Sequence, residues 1–193
     1  MPSANLGGNQ TASASLFTYE SLDREERAVR YADEFADYAA ASQQRFYRHA
    51  YLLCGDSDQA RDLVQSTLLQ LYRRWPRVRA ARSIDAYAHK TLVRSFLDGR
   101  RKANRERAIR QRLGPPAPPL DSTPLRLTML EALAQLPPRA RAIVVLRYWE
   151  DLSVEQTADV MGCSAGNVKA QSSRALHSLR ERLGTTFTDL IDT

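Results

Sequence analysis

Residues 114–124 read GPPAPPLDSTP, five prolines in eleven positions. Proline has no amide hydrogen to donate and fixes φ, so neither a regular helix nor a central strand can run through such a stretch. The sequence therefore predicts an extended, stiff connector that divides the chain in two. At about 3.1 Å per residue it would span about 34 Å, so the two halves need not touch and have the reach to dock at separate sites. A chain of 193 residues divided here has room for two small domains, not for a large enzyme with its own cofactor domain.

With 43% hydrophobic and 26% charged residues, the chain has the balance of a folded, soluble protein. No run of 18 apolar residues is present, and the N-terminus lacks a basic start followed by an apolar stretch. No membrane insertion and a cytoplasmic location are expected. Cys54 and Cys163 are too few and too far apart for a disulfide framework or a four-ligand zinc site, and both are expected to be buried.

The net charge of +6 is unevenly spread: residues 1–34 carry −3, residues 35–113 carry +10 and residues 114–193 carry −1. A middle segment this basic suits a polyanion, because each phosphate neutralised by Arg or Lys releases a condensed counterion. A basic but merely solvated helix face is the competing reading.

Residues 1–16 hold almost no large apolar side chain and are expected to be a disordered arm. A helix is predicted from Asp23, where Asp23 and Glu26 resemble a capping box and Val29, Phe35 and Tyr38 fall near one face. Residues 35–113 read as helical throughout, with turns at Gly55–Ser57, Pro76–Ser83 and Gly99. Between Ser57 and Trp75, the residues Ala60, Leu63, Val64, Thr67, Leu68, Leu71, Tyr72 and Trp75 recur at helical spacing as a buried stripe. Asp62, Gln65, Ser66, Leu69 and Arg73 then face outward. A helix from Ile84 is expected to bury Tyr87, Ala88, Thr91, Leu92 and Phe96 and to project His89, Lys90, Arg94, Asp98 and Arg101. Together with Arg77, Arg79 and Arg82, these basic and aromatic residues suit backbone phosphates and a stacked base.

The second half is again helical, with no strand alternation. Leu127, Leu130, Leu133 and Leu136 mark one helix, Pro137 and Pro138 interrupt, and the next runs from Ala142 to Trp149. The segment SVEQTADVMGCSAGNVKAQSSRALHSLRERL then reads as a helix-turn-helix. Ser153 with Gln156 caps the first helix, Ala158 is small where two helices must approach, Gly162 turns and Ser164 caps the second helix. Val168, Ala175, Leu176, Leu179 and Leu183 form an inner face, leaving Asn167, Lys169, Ala170, Gln171, Ser173 and Arg174 outside. Asn and Gln pair with adenine, Arg and Lys with guanine or phosphate, and Ala and Ser let the helix approach base edges closely.

No catalytic apparatus is legible. The chain has three histidines and lacks a phosphate-binding glycine loop, a G-x-S-x-G elbow and an H-E-x-x-H helix. Cys54 with His49, and Cys163 with His177, are the only soft-ligand pairs near in sequence, and each leaves coordination positions unfilled, so no metal or cofactor is expected. The expected fold is all-α: an N-terminal extension (1–34), a helical domain (35–113), a Pro-rich linker (114–124) and a helix-turn-helix domain (125–193). On these residues alone, a dimeric helix-turn-helix regulator with a helical partner-binding domain remains an alternative.

DSDQARDLVQSTLLQLYRRW resembles region 2.2 of bacterial RNA polymerase sigma factors of the extracytoplasmic-function (group four) type. LPPRARAIVVLRYWEDLSVEQTADVMGCSAGNVKAQSSRALHSLR resembles their region 4. The resemblance implies a non-enzymatic promoter-specificity subunit that binds core polymerase at the β′ clamp helices and β flap, with an anti-sigma factor as a further possible partner. It implies core docking by Asp62, Gln65, Ser66, Leu69 and Arg73. It assigns the −10 element to Arg77, Arg79, Arg82, Tyr87, Lys90, Arg94, Asp98 and Arg101, with strands separated there and bases flipped out. It assigns the −35 element to Asn167, Lys169, Ala170, Gln171, Ser173 and Arg174. Ser66 stands where many relatives have Glu, Tyr87 where many have Trp, and Gln171-Ser172 where Arg-Leu is common, the last pair implying an altered −35 preference.

Overall fold

The structure, a computed structural model, describes residues 11–110 and 124–183, and among them it contains eight α-helices and no strand. The helices are α1 (Thr11–Cys54), α2 (Ser57–Arg73), α3 (Trp75–Val78), α4 (Ile84–Arg110), α5 (Pro124–Gln135), α6 (Pro138–Tyr148), α7 (Val154–Met161) and α8 (Ala165–Leu183). The first ten residues of the expected arm and residues 114–123 of the expected linker lie outside the described residues. The chain forms two compact units, residues 1–41 and 42–193. In the first unit α1 already begins at Thr11, so residues 11–16, expected to be part of the arm, are helical.

Local chemistry explains the helix boundaries of the second unit. Gly55 takes φ +71°, which a glycine adopts without steric cost, and ends α1. The Asp56 carboxylate then accepts from the amides of Asp58 (3.1 Å) and Gln59 (2.8 Å), satisfying two of the donors that open α2. Proline occupies the first turn of α3 and of α6, where no intrahelical donor is needed. Gly99 was expected to make a turn and instead lies inside α4. An interior glycine costs about 1 kcal/mol relative to alanine, which the tertiary packing of a helix this long offsets.

Burial follows the apolar stripes with specific exceptions. α2 packs against α4, and Ala60, Leu63, Val64, Thr67, Leu71 and Trp75 are buried alongside Ala88, Leu92 and Phe96. Tyr72, assigned to the stripe, is 50% exposed, because it lies one step around the helix from the fully buried Leu71. His89, assigned to the polar side of α4, is buried at 4% exposure. In the second half α8 is the central element, packed on α5, α6 and α7, with Val168, Ala175, Leu179 and Leu183 inside and Leu176 half-buried. Trp149, at the end of the apolar run, is 59% exposed.

The two halves meet. α4 packs against α6 and α7, so residues that the connector would allow to stand apart share one compact unit. Arg141 is the polar anchor of this seam. Its buried guanidinium donates to the carbonyls of Leu53 at the end of α1 (2.6 Å) and of Ala134 (2.6 Å) and Leu136 (3.4 Å) at the end of α5. A cation placed on helix C-terminal carbonyls is favoured both by the hydrogen bonds and by the helix dipole. Burial, followed by the nearby Arg100, pushes its pKa down to about 10, so it stays charged at neutral pH.

Candidate docking and nucleic-acid interfaces

Three exposed surfaces carry the residues singled out by sequence. The first is the outer face of α2. Asp62, Gln65, Ser66, Leu69 and Arg73 follow the helical period, with Gln65 and Ser66 side by side, and all are exposed, as one stripe. Ser66 Oγ donates to the Leu63 carbonyl at 2.9 Å, which turns its hydroxyl back onto the helix and leaves Gln65 and Leu69 as its prominent neighbours. Leu69 is 49% exposed and the equally exposed Tyr72 lies one turn further on, so the stripe has an apolar centre that the sequence pattern had placed partly inside.

The second surface is formed by α2, α3 and the start of α4. Arg77, Arg79 and Arg82 are exposed around α3 and the turn that follows it. Ser83 Oγ accepts from the Ala86 amide at 3.1 Å and so opens α4. Between α2 and α4 lies an open cleft of about 460 Å³, lined by Gln70, Arg74, Tyr87, Lys90, Thr91 and Arg94. Tyr87, expected among the buried residues, is only half-buried and forms part of the wall. Gln70, whose amide donates to Ser95 Oγ at 2.9 Å, and Arg74 were not singled out by sequence; only the three-dimensional approach of α2 to α4 brings them to the cleft. Lower on α4, Asp98 accepts from Arg101 at 3.2 Å and lies 3.9 Å from Arg94. That stretch faces Arg139, Val160, Met161 and Gly162 of the second half across a narrower groove.

The third surface is the outer face of α8. The capping box of α7 is complete: Ser153 Oγ accepts from the Gln156 amide (3.1 Å) and the Gln156 side chain accepts from the Ser153 amide (2.7 Å). Gly162 turns in the left-handed region at φ +61°, and the Cys163 amide closes back on the Ala158 carbonyl at 3.0 Å. Ser164 Oγ then accepts from the Asn167 amide at 3.2 Å and starts α8. Asn167, Lys169, Ala170, Ser173 and Arg174 are exposed and Gln171 is half-buried. The Gln171 amide donates to Asn167 Oδ1, and Arg174 Nε donates to the Ala170 carbonyl at 3.2 Å, so both long side chains lie along the helix surface. Ser172, in contrast, is buried at 6% exposure with no hydrogen-bond partner for its hydroxyl.

Cys54 and Cys163 are free and half-buried rather than fully buried, and burial pushes the Cys54 thiol up to about 11, which keeps it protonated. The histidine expected to face phosphate, His89, instead lies with His49 and Glu150 in a buried group at the seam between the halves. Among the described residues this is the one convergence of three metal-capable side chains, and no helix is long and apolar enough to cross a membrane.

Comparison with known proteins agrees with this layout. Residues 39–106 match Sigma-70 region 2 and residues 126–179 match Sigma-70, region 4. The chain is 36% identical to the RNA polymerase sigma-E factor of Streptomyces coelicolor over 78% of its own length and 86% of that protein. It is 32% identical to the RNA polymerase sigma factor SigV of Bacillus subtilis over 72% of its length and 85% of that protein. Among solved structures it is similar to the sigma factor RpoE in complex with the anti-sigma factor NepR from Bartonella quintana. That match has a TM-score of 0.66 at 24% identity and covers 79% of this chain and 98% of that one. It is also similar to CnrH in complex with the cytosolic domain of CnrY, with a TM-score of 0.58 at 19% identity over 81% of this chain and 94% of that one. Region 2 carries the α2 stripe and the α2–α4 cleft, and region 4 carries the capped helix-turn-helix, so the chain belongs to the extracytoplasmic-function group of the sigma-70 family, the promoter-specificity subunits of RNA polymerase.

Proposed function

We propose that the three exposed surfaces divide the work of promoter selection between them. The α2 stripe, Asp62, Gln65, Ser66, Leu69 and Arg73, docks on the β′ clamp helices of core polymerase, with Tyr72 adding apolar contact. The α2–α4 cleft receives a base pulled from the non-template strand of the −10 element. Tyr87 stacks on the base, and Arg74, Lys90 and Arg94 hold the adjoining phosphates. Taking a base out of the stack costs a few kcal/mol, which stacking and charge-assisted contacts in the cleft must offset. Arg77, Arg79, Arg82 and Arg101 steer the backbone, and Asp98 orients Arg94 and Arg101. The outer face of α8 reads the −35 element as duplex through Asn167, Lys169, Ala170, Gln171, Ser173 and Arg174.

The observation that carries this reading is the cleft itself. At about 460 Å³ it is an open, cationic space with one aromatic wall, Tyr87, beside an exposed docking stripe, the combination a strand-opening subunit needs and a duplex-only regulator does not. The protein performs no bond chemistry of its own and acts in the cytoplasm, where the polymerase is. It keeps two working modules, residues 35–113 and 125–193, joined by the Pro-rich connector. Structural relatives solved with anti-sigma factors support a partner of that kind. The test is a titration of core polymerase with the pure chain. Changing Gln65 and Leu69 to Arg is expected to weaken core binding at least about tenfold while thermal melting stays unchanged, since both side chains are exposed. Unchanged core affinity would remove the docking assignment.

A further inference from the structure

We infer that His49, His89 and Glu150 form a binding site for a divalent transition-metal ion of the zinc class at the seam between region 2 and region 4. The inference is independent of which promoter elements the protein reads. His49 comes from α1, His89 from α4, and Glu150 from the turn after α6, and their ligand atoms all lie within 4.8 Å of one another. His49 Nδ1 is 3.5 Å from Glu150 Oε1, and His89 Nε2 is 3.5 Å from Glu150 Oε2. The imidazole rings tilt toward each other with centroids 5.3 Å apart.

Those distances are too long for charge-assisted hydrogen bonds, which close to about 2.7–2.9 Å. Each is close to the roughly 3.4 Å edge of a tetrahedron about an ion bound at about 2.0–2.1 Å, with one imidazole facing each oxygen of the Glu150 carboxylate. The His49 side chain is fully buried, and neither of its ring nitrogens has a hydrogen-bond partner; the same holds for Nδ1 of His89. Buried polar atoms are nearly always satisfied, so a side chain with none of its hydrogen bonds made and aimed at a carboxylate points to a missing ligand. Both imidazoles are buried, which favours the neutral ring, the form that binds metal. Arg45 and Asp85, the charged neighbours, are paired with each other at 2.6 Å and largely cancel. Two histidines and one carboxylate with a fourth position for water is a donor set that zinc accepts. The pairs near in sequence, Cys54 with His49 and Cys163 with His177, could not reveal it, because its members are 40 and 61 residues apart. Since the ligands come from both regions, a bound ion would favour their packed arrangement over a separated one.

The experiment uses the full chain, freed of metal by chelation and titrated with Co(II) and then Zn(II). It follows the visible d–d absorption of cobalt and the imidazole nitrogen NMR signals of the three histidines. The expected result is one Co(II) per chain, displaced by Zn(II), with two histidines shifted and the exposed His177 unmoved. Glu150→Gln is expected to weaken binding at least about tenfold, and His177→Gln to leave it unchanged. Because the NMR readout is taken on the unaltered chain, the test does not depend on a variant of buried His49 folding. Absence of saturable uptake would overturn the inference. So would a thiolate-to-cobalt charge-transfer band placing the ion on cysteine, or uptake that shifts His177 alone.

Discussion

α4 and α8 are the two helices proposed to face DNA, and they differ in what surrounds them. The outer face of α8 is open along its whole reading edge, from Asn167 to Arg174. α4 is open at its start, around Tyr87 and Lys90; further along its charged side chains Arg94, Asp98 and Arg101 are exposed too, but with the half-buried Leu97 they line a groove against Arg139 and the end of α7. One helix thus presents a rigid surface that needs no rearrangement to meet a duplex groove. The other lines a groove shared with the neighbouring region, so that a strand laid along it runs beside the seam. The contrast suits a protein that reads one element as an intact duplex and another as separated strands.

The seam is where this comparison can be broken most strongly. Arg141→Met is expected to cost about 3 kcal/mol in urea unfolding, because charge-assisted bonds to Leu53 and Ala134 are lost and the carbonyls left buried. If the seam holds the groove beside α4 in place, the same variant should open the groove between Asp98 and Arg139 and raise non-specific binding to single-stranded DNA. A variant with unchanged stability would mean that Arg141 does not anchor the two halves.

Two substitutions then sharpen the contrast between the helices. Arg174→Ala on α8 should cost about 1–3 kcal/mol against duplex carrying the preferred −35 sequence if it reads a base edge. Equal loss on a scrambled duplex would reduce it to a phosphate contact. Tyr87→Ala on α4 should cost about 1–3 kcal/mol for single-stranded −10 DNA and leave duplex −35 binding alone. Equal effects of both substitutions on both DNAs would dissolve the division of labour. The smallest effect concerns how α8 is held: Ser153→Ala removes one half of the capping box and should destabilise the helix-turn-helix by about 1 kcal/mol, read as a lower melting temperature with DNA specificity retained.

What the sequence revealed and what it hid follow the same contrast. The helix-turn-helix was legible in detail because its signals are local: a serine three residues before a glutamine, a glycine that takes φ +61° without steric cost, and a second serine cap. The α2 stripe was legible because helical period fixes which residues share a face. His89, Tyr72 and Gly99 were misread for a common reason, since each assignment rested on one helix considered alone. α4 meets α1, α2 and the second half on several sides, so a polar histidine could be buried by Phe46, His49 and Glu150, residues distant in sequence. Tyr72 falls at the margin of a stripe whose width depends on where α4 lies. Arg141 and Glu150 carried no signal as seam residues, because their partners are set by tertiary packing and not by spacing. The proline-rich connector spoke only for the possibility of separation, and burial at the seam determined that the halves pack.

The central claim is that this chain directs core polymerase to promoters through two separate surfaces. Its most direct test mixes the pure protein with core polymerase and a library of DNA fragments, maps transcript starts, and compares the sequences enriched upstream. The account predicts transcription only when both proteins are present, with two enriched elements, one read by α8 as duplex and one opened at the α2–α4 cleft. Tight binding of unmelted duplex by the chain alone as a dimer, with no affinity for core polymerase and no defined start, would contradict it.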